Sequence, residues 1–212
     1  MKHIRKRPEP EAFTAWKEQA NKDWQPTYDV LSGKPKDALK QALMAEQGEI
    51  CCYCEVRLTT NNSHIEHFRP QQTFPDHALE YRNLHGSCQN QLSKGEPRHC
   101  GNQKSDWFDA DLLISPLDQT CEKRFRFNER GEIEPASSDD KAAAMTIEKL
   151  GLNINKLVNM RFEALDPFND DALTPEVFDR FVAGYLTPDS AGRFSEFWTM
   201  IQHLYGGEPA DG

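Results

Sequence analysis

Between Cys51 and Lys104 the chain gathers four cysteines around a Glu-His pair, and no other stretch limits the possible folds as much. It opens as Cys51-Cys52-Tyr53-Cys54-Glu55 and runs through His64-Ile65-Glu66-His67-Phe68-Arg69-Pro70. It continues through Tyr81-Arg82-Asn83-Leu84-His85-Gly86-Ser87-Cys88 and closes on His99-Cys100-Gly101-Asn102-Gln103-Lys104. Cys51 and Cys54 form a Cys-x-x-Cys pair, while eleven residues separate Cys88 from Cys100. A tetrahedral zinc site needs four sulfurs about 2.3 Å from one ion and dictates no sequence gap, so the four read as one structural zinc site with an insertion in its second half. Such a site adds folding free energy to a centre poor in strands. Cys52 breaks the two-residue spacing and is left out, and Cys121 reads as a buried thiol. The competing readings are free core thiols at chance spacing, or a thioredoxin-like redox pair. No βαβ pattern surrounds the Cys-x-x-Cys to support the second.

The rest of the composition narrows the class. The chain has 212 residues, 37% of them hydrophobic, with a mean hydropathy of −0.77. Its 12 Phe, 4 Trp and 5 Tyr supply large core units. No apolar run reaches the roughly 18–20 residues of a membrane span, and no apolar segment follows the basic start as in a secretory signal. The six cysteines therefore read as thiolates and not bridges, and the cytoplasm is the expected compartment. A net charge of −9 argues against a broad nonspecific grip on nucleic acid, so attraction to a phosphodiester must be local or come from a partner.

Helical periodicity predicts helices over 11–22, 34–47, 138–150 and 153–165, one opening at Thr174-Pro175, and a last one carrying Phe194, Phe197, Trp198, Ile201 and Leu204. Ser138 and Asn153 are the expected caps of the third and fourth. A short strand and knuckle are expected over 50–57, a short strand around Ile65 and Phe68, and a helix starting at Asn102. The alternation of Arg124-Phe-Arg-Phe-Asn-Glu-Arg-Gly-Glu-Ile predicts a β-hairpin. Lys2, Arg5, Lys6 and Arg7 read as a solvated tail, or as an arm touching phosphate or a partner. The expected division is an N-terminal helical segment (1–50), a core with the zinc site (51–115), a β-hairpin and helical C-terminal part (116–205) and a disordered tail (206–212). The expected class is α+β, a small zinc-braced centre embedded in a mostly helical protein.

Zinc saturated by four thiolates has no open position, so chemistry must come from neighbouring residues. Adjacent residues on a strand point to opposite faces, so Glu66 can hold a second metal while His67 faces a water. That arrangement fits one-metal hydrolysis of a phosphodiester, with neutral His67 as the general base. Mg²⁺ suits carboxylate and amide oxygens, and Mn²⁺ tolerates an imidazole better. His64 is a candidate support for that site or a substrate contact. His3, His77 and His203 read as structural or surface residues.

Cys-x-Tyr-Cys-Glu, Ile-Glu-His-Phe-x-Pro, Asn-Leu-x-x-x-Cys and Cys-Gly-x-x-Lys together resemble the HNH (ββα-metal) endonucleases. The likeness is to the HNH proteins of bacterial anti-phage systems, the PtuB type of Septu and those of some retrons. It covers residues 51–107 and extends loosely over the N-terminal basic run, the Phe-Arg-Phe hairpin and Thr146-Ile-Glu-Lys-Leu-Gly-Leu-Asn. By position, the resemblance implies that His67 is the general base and Glu66 a ligand of the catalytic Mg²⁺ or Mn²⁺. It implies that Asn83 braces the loop and orients the histidine. The last metal ligand normally follows the final cysteine, where this chain has Gly101. Asn102 is the candidate in its place, with His99 or Asp106 as substitutes. Lys104 and Arg69 are candidate phosphate contacts.

The resemblance further implies a PtuA-like ATPase partner and, in a retron setting, a reverse transcriptase with its RNA–DNA product. DNA is the expected substrate. RNA, for example tRNA, cut by the same chemistry is the alternative, because the motif does not read the 2′-hydroxyl. A third reading is a non-catalytic, zinc-stabilised adaptor whose Glu-His pair is structural.

Overall fold

A computed structural model describes residues 1–169 and 173–207. The chain is α+β, with helices surrounding two small antiparallel sheets. The helices are α1 (Glu11–Lys17), α2 (Gly33–Glu46), α3 (Gly101–Lys104), α4 (Lys141–Lys149), α5 (Asn155–Glu163), α6 (Pro175–Leu186) and α7 (Trp198–Tyr205). One sheet pairs β1 (Ser63–His67) with β2 (Leu84–Cys88), in the register Ser63↔Cys88 to His67↔Leu84. The other pairs β3 (Phe125–Phe127) with β4 (Ile133–Pro135). The expected tail lies, from residue 208 on, outside the described residues. No described helix is long and apolar enough to cross a membrane.

The first sheet is built from alternation. Ile65 and Leu84 bury one face against Phe13 of α1, Leu39 and Leu43 of α2, and Tyr81. Directly opposed residues of an antiparallel pair share a face, so Glu66 and His85 lie together on the side away from Ile65, and so do His64 and Ser87. Gln47, just after α2, secures the free edge of β2. Its Oε1 accepts from Gly86 N at 2.7 Å, and its Nε2 donates to Gly86 O and Ile50 O at 2.9 Å. The expected strand over 50–57 reduces to one bridge, Ile50↔Arg57, around a tight turn that carries Cys51 and Cys54.

A single apolar cluster connects the knuckle to the C-terminal helices. Cys51, Cys54 and Leu58 belong to it, as do Ile133, Leu157, Met200 and Ile201. Glu55, in the left-handed region at φ 65°, accepts from Thr199 N at 2.8 Å and so ties the knuckle to the start of α7. The basic N-terminal run is not a solvated tail. Met1 and Ile4 are core residues, and Lys6 Nζ pairs with buried Glu46 at 2.6 Å. Apolar residues interleaved with the charges drive that burial, and Glu46, which also accepts from Tyr81 Oη at 2.8 Å, neutralises the cation.

Neither expected cap holds its helix, and α5 has no side-chain cap. Asp140, not Ser138, caps α4, accepting from Ala143 N at 2.9 Å. Asn153 clamps Ile133 of β4, its Oδ1 accepting from the N–H at 2.9 Å and its Nδ2 donating to the carbonyl at 2.8 Å. Arg161 of α5 is fully buried and holds the β3–β4 turn, donating from Nε to Gly131 O and from Nη2 to Leu152 O, both at 2.6 Å. Gly131 sits at φ +78°, where a Cβ would meet Val158 O at 2.5 Å and Phe162 N at 2.8 Å. Gly131→Ala should therefore destabilise the protein by about 2–3 kcal/mol through backbone strain and overpacking. Gly33→Ala, at φ +60° in open space, should cost only the left-handed penalty of about 1 kcal/mol. Denaturant midpoints measured on both variants check the difference, and equal shifts would discard the packing argument.

Candidate active site and four-cysteine centre

Cys51, Cys54, Cys88 and Cys100 meet at one point. All four are buried and their Sγ atoms lie within 4.8 Å of one another. The Cys54–Cys88 separation is 3.7 Å, close to the edge of about 3.8 Å that follows from four zinc–sulfur bonds of 2.3 Å. Three segments supply the sulfurs: the knuckle, the end of β2, and the residue that begins α3. Cys100 takes φ 56° to reach inward. Burial pushes the Cys54 and Cys100 thiols up; it opposes ionisation of Cys51 too, but S–H donors around Cys51 outweigh it and hold that group well below its usual range. A bound cation would offset the cost that burial places on these thiolates. A buried all-sulfur donor set of this spacing can hold zinc. His99, a substitute for the catalytic metal ligand by sequence, lies here instead, with Nδ1 3.2 Å from Cys100 Sγ. Cys121 is buried and outside the cluster.

On β1, Glu66 and His67 point to opposite faces. His67 sits edge-on to Tyr28, with ring centroids 4.3 Å apart, and its Nε2 lies 3.1 Å from Ala78 O. A carbonyl only accepts, so Nε2 carries the proton and Nδ1 is the basic nitrogen. Nδ1 has no protein partner among the described residues. Burial lowers the His67 pKa below the ordinary imidazole value, against the opposing pull of the Ala78 carbonyl and of Glu66, so the ring is neutral at neutral pH. The fields of Glu66, Lys104 and His64 all act on it.

Glu66 is almost entirely enclosed. Its Oε1 accepts from Tyr53 Oη at 3.2 Å and pairs with Lys104 Nζ at 3.0 Å. Lys104, read from sequence as a phosphate contact, is turned inward and buried. Its side chain is 1% exposed, and its ammonium also donates to His67 O at 3.0 Å and Phe68 O at 3.4 Å. The single turn of α3 aims it inward across the sheet, where the Glu66 charge compensates its burial. Arg69, by contrast, is exposed beside His67, 3.1 Å from His77 Nε2 and over the Phe108 ring.

Asn83 ties the segment after β1 to the start of β2. Its Oδ1 accepts from Arg69 N at 2.8 Å, and its Nδ2 donates to Arg69 O and His77 O at 3.0 Å. Asn102 donates from Nδ2 to Gln89 O at 2.7 Å. Asp106 is exposed beyond α3. His64 Nε2 lies 3.8 Å from Glu66 Oε2, and both face Gly101. Sequence reasoning missed Tyr28, Tyr53 and the Ala78 carbonyl. Only Tyr53 left a signal, lying between two ligating cysteines.

His85, opposite Glu66, is completely buried, and no protein atom completes a hydrogen bond to either ring nitrogen among the described residues. Burial holds its pKa well below 6.5, and the positive charges of Lys6 and Lys104 push the same way. The unfolded imidazole, near 6.5, therefore binds a proton that the folded one refuses. The folded state's advantage is present above about pH 6.5 and lost as pH falls below it, with a slope of at most about 1.4 kcal/mol per pH unit. Unfolding free energies at pH 7.5 and 5.5 should differ less in His85→Leu than in wild type. Equal slopes would mean that His85 does not carry this dependence.

A strand pair followed by a short helix, backed by four buried sulfurs and carrying an anchored histidine next in sequence to a carboxylate, gives the chain features that resemble an HNH endonuclease. Known proteins agree. Two relatives carry the name "putative HNH endonuclease". That of retron Vc95, from Vibrio cholerae serotype O1 biovar El Tor, is 29% identical over 125 residues, covering 56% of this chain and 58% of the relative. That of retron Ec83, from Escherichia coli, is 28% identical over 211 residues, covering 81% and 82%. The Septu protein PtuB of Bacillus thuringiensis is 40% identical over 58 residues, which is 26% of this chain and 22% of PtuB. No family profile matches the sequence.

Proposed function

We propose that the chain is a metal-dependent HNH endonuclease that hydrolyses phosphodiester bonds in DNA, as the effector of a bacterial anti-phage complex. One observation carries this reading. The anchored, neutral imidazole of His67 stands next in sequence to a carboxylate with one oxygen free, on a strand that the four-sulfur centre holds in place. The names of the three relatives support the defence setting. In this reading β1, β2 and α3 are the ββα-metal unit.

Glu66 would hold a Mg²⁺ or Mn²⁺ ion through Oε2, because Oε1 is occupied by Tyr53 and Lys104. When bound, the ion supplies positive charge to the phosphate and the leaving oxygen. His67 Nδ1 takes a proton from the attacking water as its oxygen bonds to phosphorus and the P–O bond to the leaving oxygen breaks. The imidazolium that results keeps its Nε2–H on Ala78 O. Asn83 fixes the backbone that presents Arg69 for phosphate binding. With a net charge of −9, much of the grip on nucleic acid falls to a partner. A PtuA-like ATPase fits that role, joined in a retron by the reverse transcriptase and its RNA–DNA product.

The Lys104–Glu66 pair favours a second reading, a zinc-stabilised adaptor in which Glu66 only neutralises a buried lysine. One experiment separates the readings. The chain, purified with its co-expressed genomic neighbours, is assayed for nicking of supercoiled DNA and for RNA cleavage with Mg²⁺ or Mn²⁺, as wild type and as His67→Ala. DNA nicking lost in the variant supports the proposal. RNA cleavage alone moves the substrate to RNA, and equal activity in both proteins removes His67 as the base.

A further inference from the structure

We propose that His64 Nε2 and Glu66 Oε2 are the two protein ligands of one divalent cation, held on the α3-facing side of β1 where both atoms lie against Gly101. The inference deepens the nuclease reading above by naming the full protein donor set.

The two residues are two apart on β1 and so share a face. Their facing atoms are 3.8 Å apart, too far for a hydrogen bond. Two metal–ligand bonds of about 2.0–2.2 Å span that gap. Among the described residues neither atom makes a hydrogen bond. Glu66 places its protein contacts on Oε1, and His64 Nδ1 has no partner either. An imidazole nitrogen and a carboxylate oxygen thus face each other with neither engaged by another protein atom among the described residues.

The close approach of both atoms to α3 depends on a missing side chain. A Cβ on Gly101 would overlap Glu66 Oε2, lie 2.8 Å from its Cδ and stand 3.0 Å from His64 Nε2. Among the described residues no side chain of α3 makes a hydrogen bond to either atom. Gly101 has none, Asn102 uses its Nδ2 on Gln89 O, and Lys104 is on Oε1. A carboxylate oxygen with an imidazole nitrogen suits Mn²⁺ or a similar borderline cation better than Mg²⁺.

Mn²⁺ titrated into the zinc-loaded full chain and followed by EPR tests this directly. Wild type should bind Mn²⁺ and show ¹⁴N modulation from one imidazole in pulsed EPR. His64→Ala should bind at least tenfold more weakly and lose the modulation at unchanged zinc content. His64→Asp, which restores an oxygen donor, should recover affinity without the nitrogen signal and guards against a folding artefact of the alanine variant. Asn102→Ala should stay within twofold of wild type. Nitrogen modulation that persists in His64→Ala, or an affinity that depends on Asn102 and not on His64, overturns the assignment. Failure of the two proposals is distinguishable. Cleavage without His64-dependent binding sinks only the ligand set, and His64-dependent binding without cleavage sinks only the nuclease reading.

Discussion

His67→Ala should lower the rate of phosphodiester cleavage by about 10²–10⁴-fold, the range a positioned general base contributes. The backbone carbonyl of His67 still receives Lys104 Nζ in the variant, which loses the ring's contacts with Tyr28 and Ala78 O but not the strand pairing, so the zinc content should survive. The pH dependence offers a second readout. Because burial lowers the His67 pKa, the neutral base persists below the ordinary imidazole range, and activity should be lost only as pH drops through that lowered value. A variant with wild-type rate and unchanged pH profile would discard His67 as the proton acceptor.

Removing the metal from the four-cysteine centre should have the largest structural effect. Structural zinc contributes on the order of 10–16 kcal/mol in small zinc-bound units, as much as the whole stability of about 5–15 kcal/mol expected of a domain. Here the sulfurs pin the knuckle, the end of β2 and the start of α3, and Glu55 carries the constraint on to α7. Cys88→Ser, or a strong chelator, should therefore abolish cooperative unfolding and nuclease activity together. Cys121→Ser, outside the cluster, should keep one zinc per chain. Zinc analysis with thermal melts checks both, and a Cys88→Ser protein that melts like wild type with full zinc would refute the assignment.

Much of this centre was legible before any coordinates. The Cys-x-x-Cys pair and two distant cysteines identified the sulfur cluster, because thiolates converging on one ion tolerate any loop length between them. Alternation around Ile65 placed the strand, and the adjacency of Glu66 and His67 put them on opposite faces. Helical periodicity found α2 and α4 to α7 with shifted ends, since Asp140 and Ser138 are chemically equivalent caps until the chain direction selects one. The direction of the Lys104 side chain was not legible, because a short helix after a buried cysteine can aim a lysine outward or across the sheet. Nor was the docking of the N-terminal run, where Lys2 pairs with Glu122 and Lys6 with Glu46, residues far away in the chain.

Sequence by itself determined which kinds of atoms this protein could bring to a site: soft sulfurs, a carboxylate and imidazoles at spacings suited to one short strand pair. Tertiary structure alone decided which lone pairs stay free, because that depends on neighbours far apart in the chain. Tyr53 and Lys104 take one oxygen of Glu66, Ala78 takes one nitrogen of His67, and Gly101 leaves the remaining oxygen facing His64.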